Sequence, residues 1–324
     1  MSSLAPGITD IATYLPEGRL ENDELVARFG FEPEFLDSKV GIHSRRIAGP
    51  DEAVSDMAVS AAEILFDRGE VRPDEVDLLI ICTQNPDYCL PTTANLVQDR
   101  LGLRDDTAAF DINQGCSGYI YGLSVAKSMM ASEDLRCALF ITSEAYSKVM
   151  DPNDRYTVPL FGDGAAATLI RAGGQGRIGR FTFGTDGSGA DSLIVRGGGS
   201  RHPDLPRKGE SALYMNGRAV YNFMIKRVPP SLEDCVARNG ITFADIDYFV
   251  FHQASRFMIN ALIKRLNLDP EKVPIIMSEI GNTVSSTIPI TIEAMGGPAA
   301  LKGKRVLISG FGVGLSWGAT VIQF

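Results

Sequence analysis

The stretch Val76-Asp77-Leu78-Leu79-Ile80-Ile81-Cys82-Thr83-Gln84 places an aspartate before a continuous apolar run and ends in polar residues. The stretch Ile246-Asp247-Tyr248-Phe249-Val250-Phe251-His252-Gln253 repeats this pattern 170 residues later. Continuous apolar runs of this length are typical of strands that are buried on both faces. The recurrence of such a strand in each half of the chain indicates an internal duplication.

Three further pairs of similar segments keep the same order along the chain. They pair Asp111-Ile112-Asn113 with Glu279-Ile280-Gly281-Asn282, residues 138–142 with 306–309, and residues 164–170 with 318–322. Each half is therefore expected to run strand, helix, strand, helix, strand, strand. We place the two halves at residues 1–172, which carry Cys116, and at residues 173–324, which carry His252 and Asn282.

Strands that alternate with helices predict mostly parallel sheets that are covered by helices. The segment after Cys116 and the segment 289–295 are apolar around most of a helical circumference, which is typical of buried helices. The sequence thus predicts an α/β fold with two buried helices, one in each half, lying between two sheets. The stretch 184–217 is rich in Gly, Ser and Arg and shows little periodicity, so we expect loops, which in enzymes often shape a substrate site.

The composition excludes several classes of protein. The chain has 324 residues, of which 44% are hydrophobic and 22% charged, and its net charge is −9. This balance is ordinary for a globular protein and unfavourable for binding nucleic acid or an anionic membrane. The start of the sequence lacks the basic and apolar regions of a secretory signal, and the five cysteines show no C-x-x-C spacing. We therefore expect a cytoplasmic protein without disulfides. The three histidines are too few to predict a multi-histidine zinc site.

Three residues could carry chemistry. Cys116 lies at a strand-to-helix junction among small residues, where the helix dipole is expected to favour the thiolate. His252 ends a strand, and Asn282 is expected at the equivalent strand end in the repeat. Each residue alone is also compatible with a buried thiol, a core histidine or a turn asparagine. Together, a cysteine nucleophile with a histidine and an asparagine is a known catalytic combination.

The glycine-rich segment 310–318 does not predict a dinucleotide site. It leads into a strand and not into the helix that such a site requires. Glycines between two strands allow a close backbone approach, which could aim N–H groups into a site.

The chain is similar to the β-ketoacyl-(acyl carrier protein) synthase III family of thiolase-fold condensing enzymes. The segments that carry this resemblance are Tyr14-Leu15-Pro16, Gly41-Ile42, Arg45-Arg46-Ile47-Ala48, Cys116-Ser117-Gly118, Asp151-Pro152-Asn153-Asp154-Arg155, Phe161-Gly162-Asp163-Gly164-Ala165, His252-Gln253-Ala254, Gly281-Asn282-Thr283, Phe311-Gly312 and Trp317-Gly318. The resemblance spans nearly the whole chain. It implies a duplicated, five-layer α-β-α-β-α thiolase-like fold, with two mixed sheets around buried helices, and a homodimer.

The resemblance also implies a reaction. Cys116 would accept an acyl primer from acyl-CoA or an acyl carrier protein, with the N–H groups of Cys116 and Val313 forming an oxyanion hole. A malonyl thioester would then lose CO₂, and His252 and Asn282 would donate hydrogen bonds to the enolate oxygen. Condensation would give a 3-oxoacyl product, and no metal or redox cofactor is expected.

Further residues are assigned by the same resemblance, in three groups. Phe35, Lys39, Arg155 and Ser255 would contact coenzyme A or pantetheine; Leu90 and Phe311 would shape the acyl pocket, Leu90 from across the dimer; Arg256, Lys264 and Arg265 would help to dock the acidic carrier. Phe35 and Lys39 replace a Trp and an Arg that are common in the family, and Ser255 replaces an Asn. These departures weaken the expectation that acetyl-CoA is the primer and fit a relative from a specialised pathway.

Three other functions are compatible with the same residues. Cys116 could pass its acyl group to an oxygen or nitrogen nucleophile without decarboxylation. The chain order Cys, His, Asn also occurs in papain-like hydrolases, although their Cys-Gly-Ser-Cys-Trp signature is missing from this sequence. Some partners of condensing enzymes are non-catalytic, but these usually lack the nucleophile that Cys116 provides here.

Overall fold

The computed structural model describes residues 4–324. Its strands are β1 (Pro6–Tyr14), β2 (Gly18–Glu21), β3 (Ser44–Ile47), β4 (Leu78–Cys82), β5 (Ala108–Ile112), β6 (Cys137–Glu144), β7 (Gly164–Ala172), β8 (Gly176–Thr185), β9 (Leu193–Val195), β10 (Leu213–Met215), β11 (Tyr248–Phe251), β12 (Arg305–Gly312) and β13 (Ser316–Gln323). Its α-helices are α1 (Asn22–Phe29), α2 (Pro33–Phe35), α3 (Val54–Asp67), α4 (Thr93–Arg100), α5 (Gly118–Ser132), α6 (Gly217–Arg238), α7 (Arg256–Leu266), α8 (Thr287–Ala294) and α9 (Gly297–Ala300). None of the helices in this part of the chain is both long and apolar enough to span a membrane.

Nine strands form one mixed sheet in the order β11-β12-β13-β8-β1-β7-β6-β4-β5. Strands β1 and β8 are joined through only two residue pairs, Gly7 with Arg177 and Ile8 with Gly176. On either side of this narrow connection the strands pair over most of their length. The two predicted sheets are therefore the two halves of a single sheet, joined at β1 and β8.

Alternate residues of the buried strands contact different layers of helices. In β4, Leu79 and Ile81 pack with the outer helices α3 and α4, whereas Leu78 and Ile80 pack with α5 and α8. In β11, Phe249 packs on the opposite outer side, with α6 and α7, and Val250 faces α8. This period of two explains why the strands are apolar at every position. The molecule therefore has the predicted five layers, with α5 and α8 in the middle.

The central helix α5 is held close to the sheet by a glycine. A Cβ atom at Gly122 would lie 2.1 Å from Cζ of Phe140, a buried residue of β6. The ring of Phe140 in turn stacks on Tyr119, with ring centroids 5.5 Å apart. The predicted burial of the helix after Cys116 is confirmed, because Tyr119, Ile120 and Leu123 are fully inaccessible to solvent.

The second half departs from the predicted repeat at Asn282, which is not at the end of a strand. The chain forms a short 3₁₀ turn (Met277–Glu279) and then an isolated parallel bridge between Asn282 and Phe161. Gly281 has a φ angle of +80°, which turns the chain out of the extended conformation. The backbone of Asn282 bonds to Leu160 and Gly162, so this segment pairs with a loop of the first half and does not extend the sheet.

The stretch 184–217 contains more structure than the loops expected from its composition. Strands β9 and β10 pair antiparallel over three residues each. Leu193 and Leu213 of this hairpin are buried against the region around Cys116. Three-residue strands are too short to show a periodic pattern, which is why the sequence did not predict them.

Candidate active site

Cys116, His252 and Asn282 line one cavity of about 620 Å³, which we call the central cavity. Cys116 lies just before α5, His252 directly follows β11, and Asn282 lies in the bridged segment before α8. The three residues are only 4%, 1% and 4% exposed. Polar side chains this deeply buried need partners, and these partners define the chemistry of the site.

Strand β12 lies directly against the nucleophile. A Cβ atom at Gly312 would be 2.7 Å from Cys116 Sγ, and one at Gly310 would be 2.5 Å from the carbonyl oxygen of Cys116. This approach brings the backbone N–H of Val313 near the thiol, and this N–H and that of Cys116 both lower the pKa of the thiol. The two N–H groups predicted to form the oxyanion hole are thus next to the same sulfur.

Burial raises the pKa of Cys116 to about 12. The N–H groups of Val313 and Cys116 lower this pKa, and the nearby Glu144 raises it, but both effects are smaller than that of burial. The expectation that the helix start favours the thiolate is therefore wrong for the free protein, because loss of hydration outweighs it. Cys116 is a neutral thiol at pH 7.

His252 is also neutral, because burial lowers its pKa to about 3. Its Nδ1 atom lies 2.8 Å from the hydroxyl of Thr287, and this hydroxyl donates a hydrogen bond of 3.1 Å to the carbonyl oxygen of Val284. The imidazole ring meets Phe311 edge to face, with centroids 5.8 Å apart. With Nδ1 engaged by Thr287, Nε2 is the ring nitrogen left for a molecule in the central cavity.

The amide of Asn282 is oriented by the backbone. Its Oδ1 accepts a hydrogen bond of 2.9 Å from the N–H of Val284, which leaves the Nδ2 protons as donors. Val284 has a φ angle of +55°, an uncommon conformation for a β-branched residue. Such strain is typical of functional sites, and here it lets Val284 contact both Asn282 and Thr287.

Most of the residues predicted to bind coenzyme A or pantetheine lie along the central cavity. Phe35, Lys39 and Ser255 are among its lining residues. Arg155 is exposed and does not line the cavity; its guanidinium lies over the ring of Phe31, which stacks on Phe35. Arg155 is therefore connected to Phe35, and through it to the lining of the central cavity, by the ring of Phe31.

The two residues predicted for the acyl pocket are separated in the structure. Phe311 lines the central cavity beside His252. Leu90, which was predicted to act from across a dimer, is 85% exposed and lines no part of the central cavity of its own chain. Phe257 and Met258, at the start of α7, also line the cavity and were not predicted from the sequence.

The three residues predicted to dock the carrier do not form a single cluster. Arg256 starts α7 and is half-buried. It packs closely on Gly41: a Cβ atom added to Gly41 would lie 2.4 Å from Cβ of Arg256. Lys264 and Arg265 are exposed at the other end of the helix, about 12 Å further along its axis.

Glu144, a fully buried residue at the end of β6, was not predicted from the sequence. Its carboxyl oxygens accept hydrogen bonds from the N–H of Gln84 (3.1 Å) and the hydroxyl of Ser285 (2.9 Å). Burial raises the pKa of Glu144 to about 8. In the sequence, Glu144 follows the apolar run of β6, and this position could have predicted a buried carboxyl group with hydrogen-bond partners.

Comparisons with known proteins agree with this geometry. The family model described as 3-oxoacyl-[acyl-carrier-protein (ACP)] synthase III matches residues 110–187. A second model, described as the C-terminal part of the same enzyme, matches residues 236–324. The β-ketoacyl-[acyl-carrier-protein] synthase III of Clostridium acetobutylicum is 35% identical over 98% of both chains. A solved 3-oxoacyl-(acyl-carrier-protein) synthase III is 43% identical, covering 99% of this chain and 100% of its own, with a TM-score of 0.95. The priming β-ketosynthase of the R1128 polyketide pathway is 29% identical, covering 99% and 97%, with a TM-score of 0.90.

These matches confirm the resemblance that was based on the sequence motifs. The family models cover more than half of the chain, and the relatives match it over nearly its full length. The thiolase-like fold excludes the papain-like alternative. The chain belongs to the 3-oxoacyl-(acyl carrier protein) synthase III family of condensing enzymes.

Proposed function

We propose that Cys116 accepts an acyl primer and that His252 and Asn282 promote the decarboxylative condensation of this primer with a malonyl thioester. The observation that carries this proposal is the convergence of the three side chains on the central cavity. A thiol supported by two backbone N–H groups suits acyl transfer, and an imidazole beside an amide donor suits an enolate.

In the first half-reaction, Sγ of Cys116 attacks the carbonyl carbon of the primer thioester. A new C–S bond forms, the old one breaks, and the proton of the thiol ends on the departing thiol. The N–H groups of Val313 and Cys116 donate to the oxygen that becomes negative during the attack. Each such donor is worth about 3 kcal/mol of transition-state stabilisation.

In the second half-reaction, a malonyl thioester loses CO₂ and leaves an enolate. Asn282 donates through Nδ2 and His252 through Nε2–H to the enolate oxygen. This role requires the tautomer with the proton on Nε2, in which Nδ1 is an acceptor. The hydroxyl of Thr287, 2.8 Å from Nδ1, would then turn its proton from the carbonyl oxygen of Val284 to Nδ1. The enolate carbon then attacks the acyl carbonyl, the C–S bond to Cys116 breaks with its electron pair on sulfur, and the 3-oxoacyl thioester leaves. The thiolate of Cys116 takes a proton from water and the neutral thiol is restored.

The substrates would arrive as thioesters of coenzyme A or an acyl carrier protein. The pantetheine arm would lie beside Phe35, Lys39 and Ser255, which line the central cavity, with Arg155 nearer the surface. Lys264 and Arg265 are exposed and could contact an acidic carrier, whereas Arg256 is largely committed to packing on Gly41. The chemistry needs no metal or redox cofactor.

The active protein would be a homodimer in the cytoplasm. Leu90 and Tyr88 are 85% and 61% exposed on one loop, and large exposed apolar side chains of this kind support a contact with a second copy. Four of the five cysteines are buried free thiols, which supports a reducing compartment. Light scattering at micromolar concentration tests the dimer, and Leu90→Asp is expected to weaken it.

Intact-protein mass spectrometry tests the catalytic roles. Wild-type protein incubated with a panel of acyl-CoA thioesters is expected to gain one acyl group, and Cys116→Ala none. His252→Ala and Asn282→Ala are expected to be acylated but to release far less CO₂ from malonyl thioesters. An adduct that persists in Cys116→Ala, or decarboxylation that persists in both other variants, would sink these assignments.

A further inference from the structure

Half of the proposed oxyanion hole lies in a turn. Strand β12 ends at Gly312 and β13 begins at Ser316, so Val313 belongs to the turn that joins them. Gly314 in the same turn is exposed and has a φ angle of +134°, a conformation that is open to glycine. The other N–H group belongs to Cys116, in the first half of the chain. One oxygen atom can accept from both N–H groups only if the turn is held against the segment of Cys116.

Close packing brings the turn and the nucleophile together. A Cβ atom at Gly115 would lie 2.4 Å from Cγ1 of Val313, so this side chain packs on the residue before Cys116. A Cβ atom at Gly310 would lie 2.8 Å from Cα of Ser117, so β12 also touches the residue after Cys116. Dispersion contacts of this kind have no preferred direction, whereas a hydrogen bond has one. The orientation of the turn therefore depends on hydrogen bonds.

Two serine hydroxyls supply such hydrogen bonds. Oγ of Ser316 donates to the carbonyl oxygen of Val313 over 2.8 Å, and Oγ of Ser117 lies 2.7 Å from Oγ of Ser316. Because the proton of Ser316 goes to Val313, Ser117 is the donor of the second bond. Oε1 of Gln114 is 3.5 Å from both hydroxyls and is the weaker acceptor. The two hydroxyls thus form one chain from the residue after Cys116 to the turn.

Both serines are deeply buried and do not face the substrate. Ser117 and Ser316 are 0% and 2% exposed, and neither lines the central cavity. Hydrogen bonds between buried groups are stronger than the same bonds in water. The two hydroxyls can influence a substrate only through the segments that they join, and these segments carry the N–H groups of Cys116 and Val313.

We propose that Ser117 and Ser316 are positioning residues for acyl transfer, because their linked hydroxyls hold the N–H of Val313 beside that of Cys116. Both N–H groups then point at the same oxygen atom before the thioester arrives. This inference rests on the proposed acyl transfer to Cys116. Neither serine contacts the substrate or moves a proton in the reaction.

The test measures the rate of Cys116 acylation by rapid quenching and intact-protein mass spectrometry, with the acyl-CoA that wild type accepts fastest. The maximal rate is expected to fall roughly tenfold in Ser117→Ala and in Ser316→Ala. Removal of a whole oxyanion donor costs roughly a hundredfold or more, but here the N–H remains and is only held less firmly. The acyl-CoA concentration that gives half the maximal rate should not change, because the lost interaction is made in the transition state.

The double variant Ser117→Ala/Ser316→Ala shows whether the two hydroxyls act as one chain. If they do, the double variant should be no slower than the slower single variant. Ser309→Ala is the matched control, because its buried hydroxyl donates to the carbonyl oxygen of Gly318 in the same pair of strands, over 3.0 Å. This control should be acylated at the wild-type rate.

Two further readouts separate positioning from general damage. Alkylation of Cys116 by iodoacetamide forms a C–S bond without an oxyanion, so its rate should change little in the serine variants. Release of CO₂ from malonyl-CoA, measured after acylation is complete, should also stay near the wild-type rate, because it depends on His252 and Asn282.

Several results would overturn the inference. They are a wild-type acylation rate in either single variant, additive losses in the double variant, and equal losses of acylation and alkylation. Alanine variants that do not fold would overturn it too, since the hydroxyls would then be needed for the fold itself. The proposed function fails separately, when wild type gains no acyl group or when Cys116→Ala gains one.

Discussion

At the scale of single residues, the reactive groups are neutral before substrate binds. Burial raises the pKa of Cys116 to about 12 and lowers that of His252 to about 3, so neither carries a charge at pH 7. A neutral thiol resists adventitious oxidation and alkylation, because the thiolate is the reactive species. Charge would develop only once a thioester lies against the N–H groups of Cys116 and Val313.

Alkylation of Cys116 by iodoacetamide should show this protonation state. Since the pKa of Cys116 is near 12, the rate should rise about tenfold per pH unit between pH 7 and 9. The rate is measured by mass spectrometry of the peptide that contains Cys116, with the exposed Cys89 as an internal comparison. A plateau below pH 8 would show instead that the start of α5 overcomes burial.

Thr287 is expected to orient His252. Thr287→Val keeps the shape but removes the hydroxyl that contacts Nδ1 of His252. We expect decarboxylation to slow by roughly a hundredfold, since losing one well-placed donor to an oxyanion costs about 10²–10³ in rate. Acylation of Cys116 should change much less. Thr291→Val is the control, because its buried hydroxyl donates to the carbonyl oxygen of Thr287, one turn away, and not to His252. Equal losses in both half-reactions would point to a general structural role.

At the scale of elements, long segments were predictable and short ones were not. The apolar runs of β4 and β11 and the apolar circumference of α5 are properties of the local sequence. Strands β9 and β10 have three residues each and depend on pairing with each other. The bridge between Asn282 and Phe161 joins residues far apart in the chain, so no local pattern could predict it.

The packing of α5 on β6 should be sensitive to a single methyl group. Gly122→Ala improves helix propensity, but its Cβ would lie 2.1 Å from the ring of Phe140, which is buried and cannot move aside. We expect a net loss of about 1–3 kcal/mol in the free energy of unfolding, measured with guanidinium. Ser128→Ala, at an exposed position of the same helix, should cause no loss. Equal stability of the two variants would contradict the close approach of Gly122 to Phe140.

At the scale of the whole molecule, Glu144 connects the two halves. It ends β6, and it accepts hydrogen bonds from Gln84, after β4, and from Ser285, in the second half of the chain. These contacts tie the segment after β4 to the segment that carries Asn282. These hydrogen bonds exist only in the folded protein. Protonation of the Glu144 carboxyl should therefore influence the free energy of unfolding.

The stability of the protein should fall as pH rises because of Glu144. Its pKa is about 4.5 when unfolded and about 8 when buried, so its contribution is complete below pH 4.5 and is lost as pH rises through 8. Glu144→Gln imitates the protonated form and should lose less stability than wild type between pH 6 and 8.5. The free energy of unfolding of wild type should fall relative to that of Glu144→Gln by at most roughly 1.4 kcal/mol per pH unit. Parallel pH profiles of the unfolding midpoint would show that Glu144 does not titrate in this range.

By itself, the sequence determined the duplicated α/β fold, the two central helices and the identity of Cys116, His252 and Asn282 as candidate catalytic residues. Periodicity, strand-end positions and motif order are local, and they survive in a linear chain. Only the tertiary structure decided the neutral state of Cys116, the placement of Asn282 outside the sheet, and the contacts of Glu144 with both halves. These properties depend on burial and on contacts between distant segments, which exist only after the chain has folded.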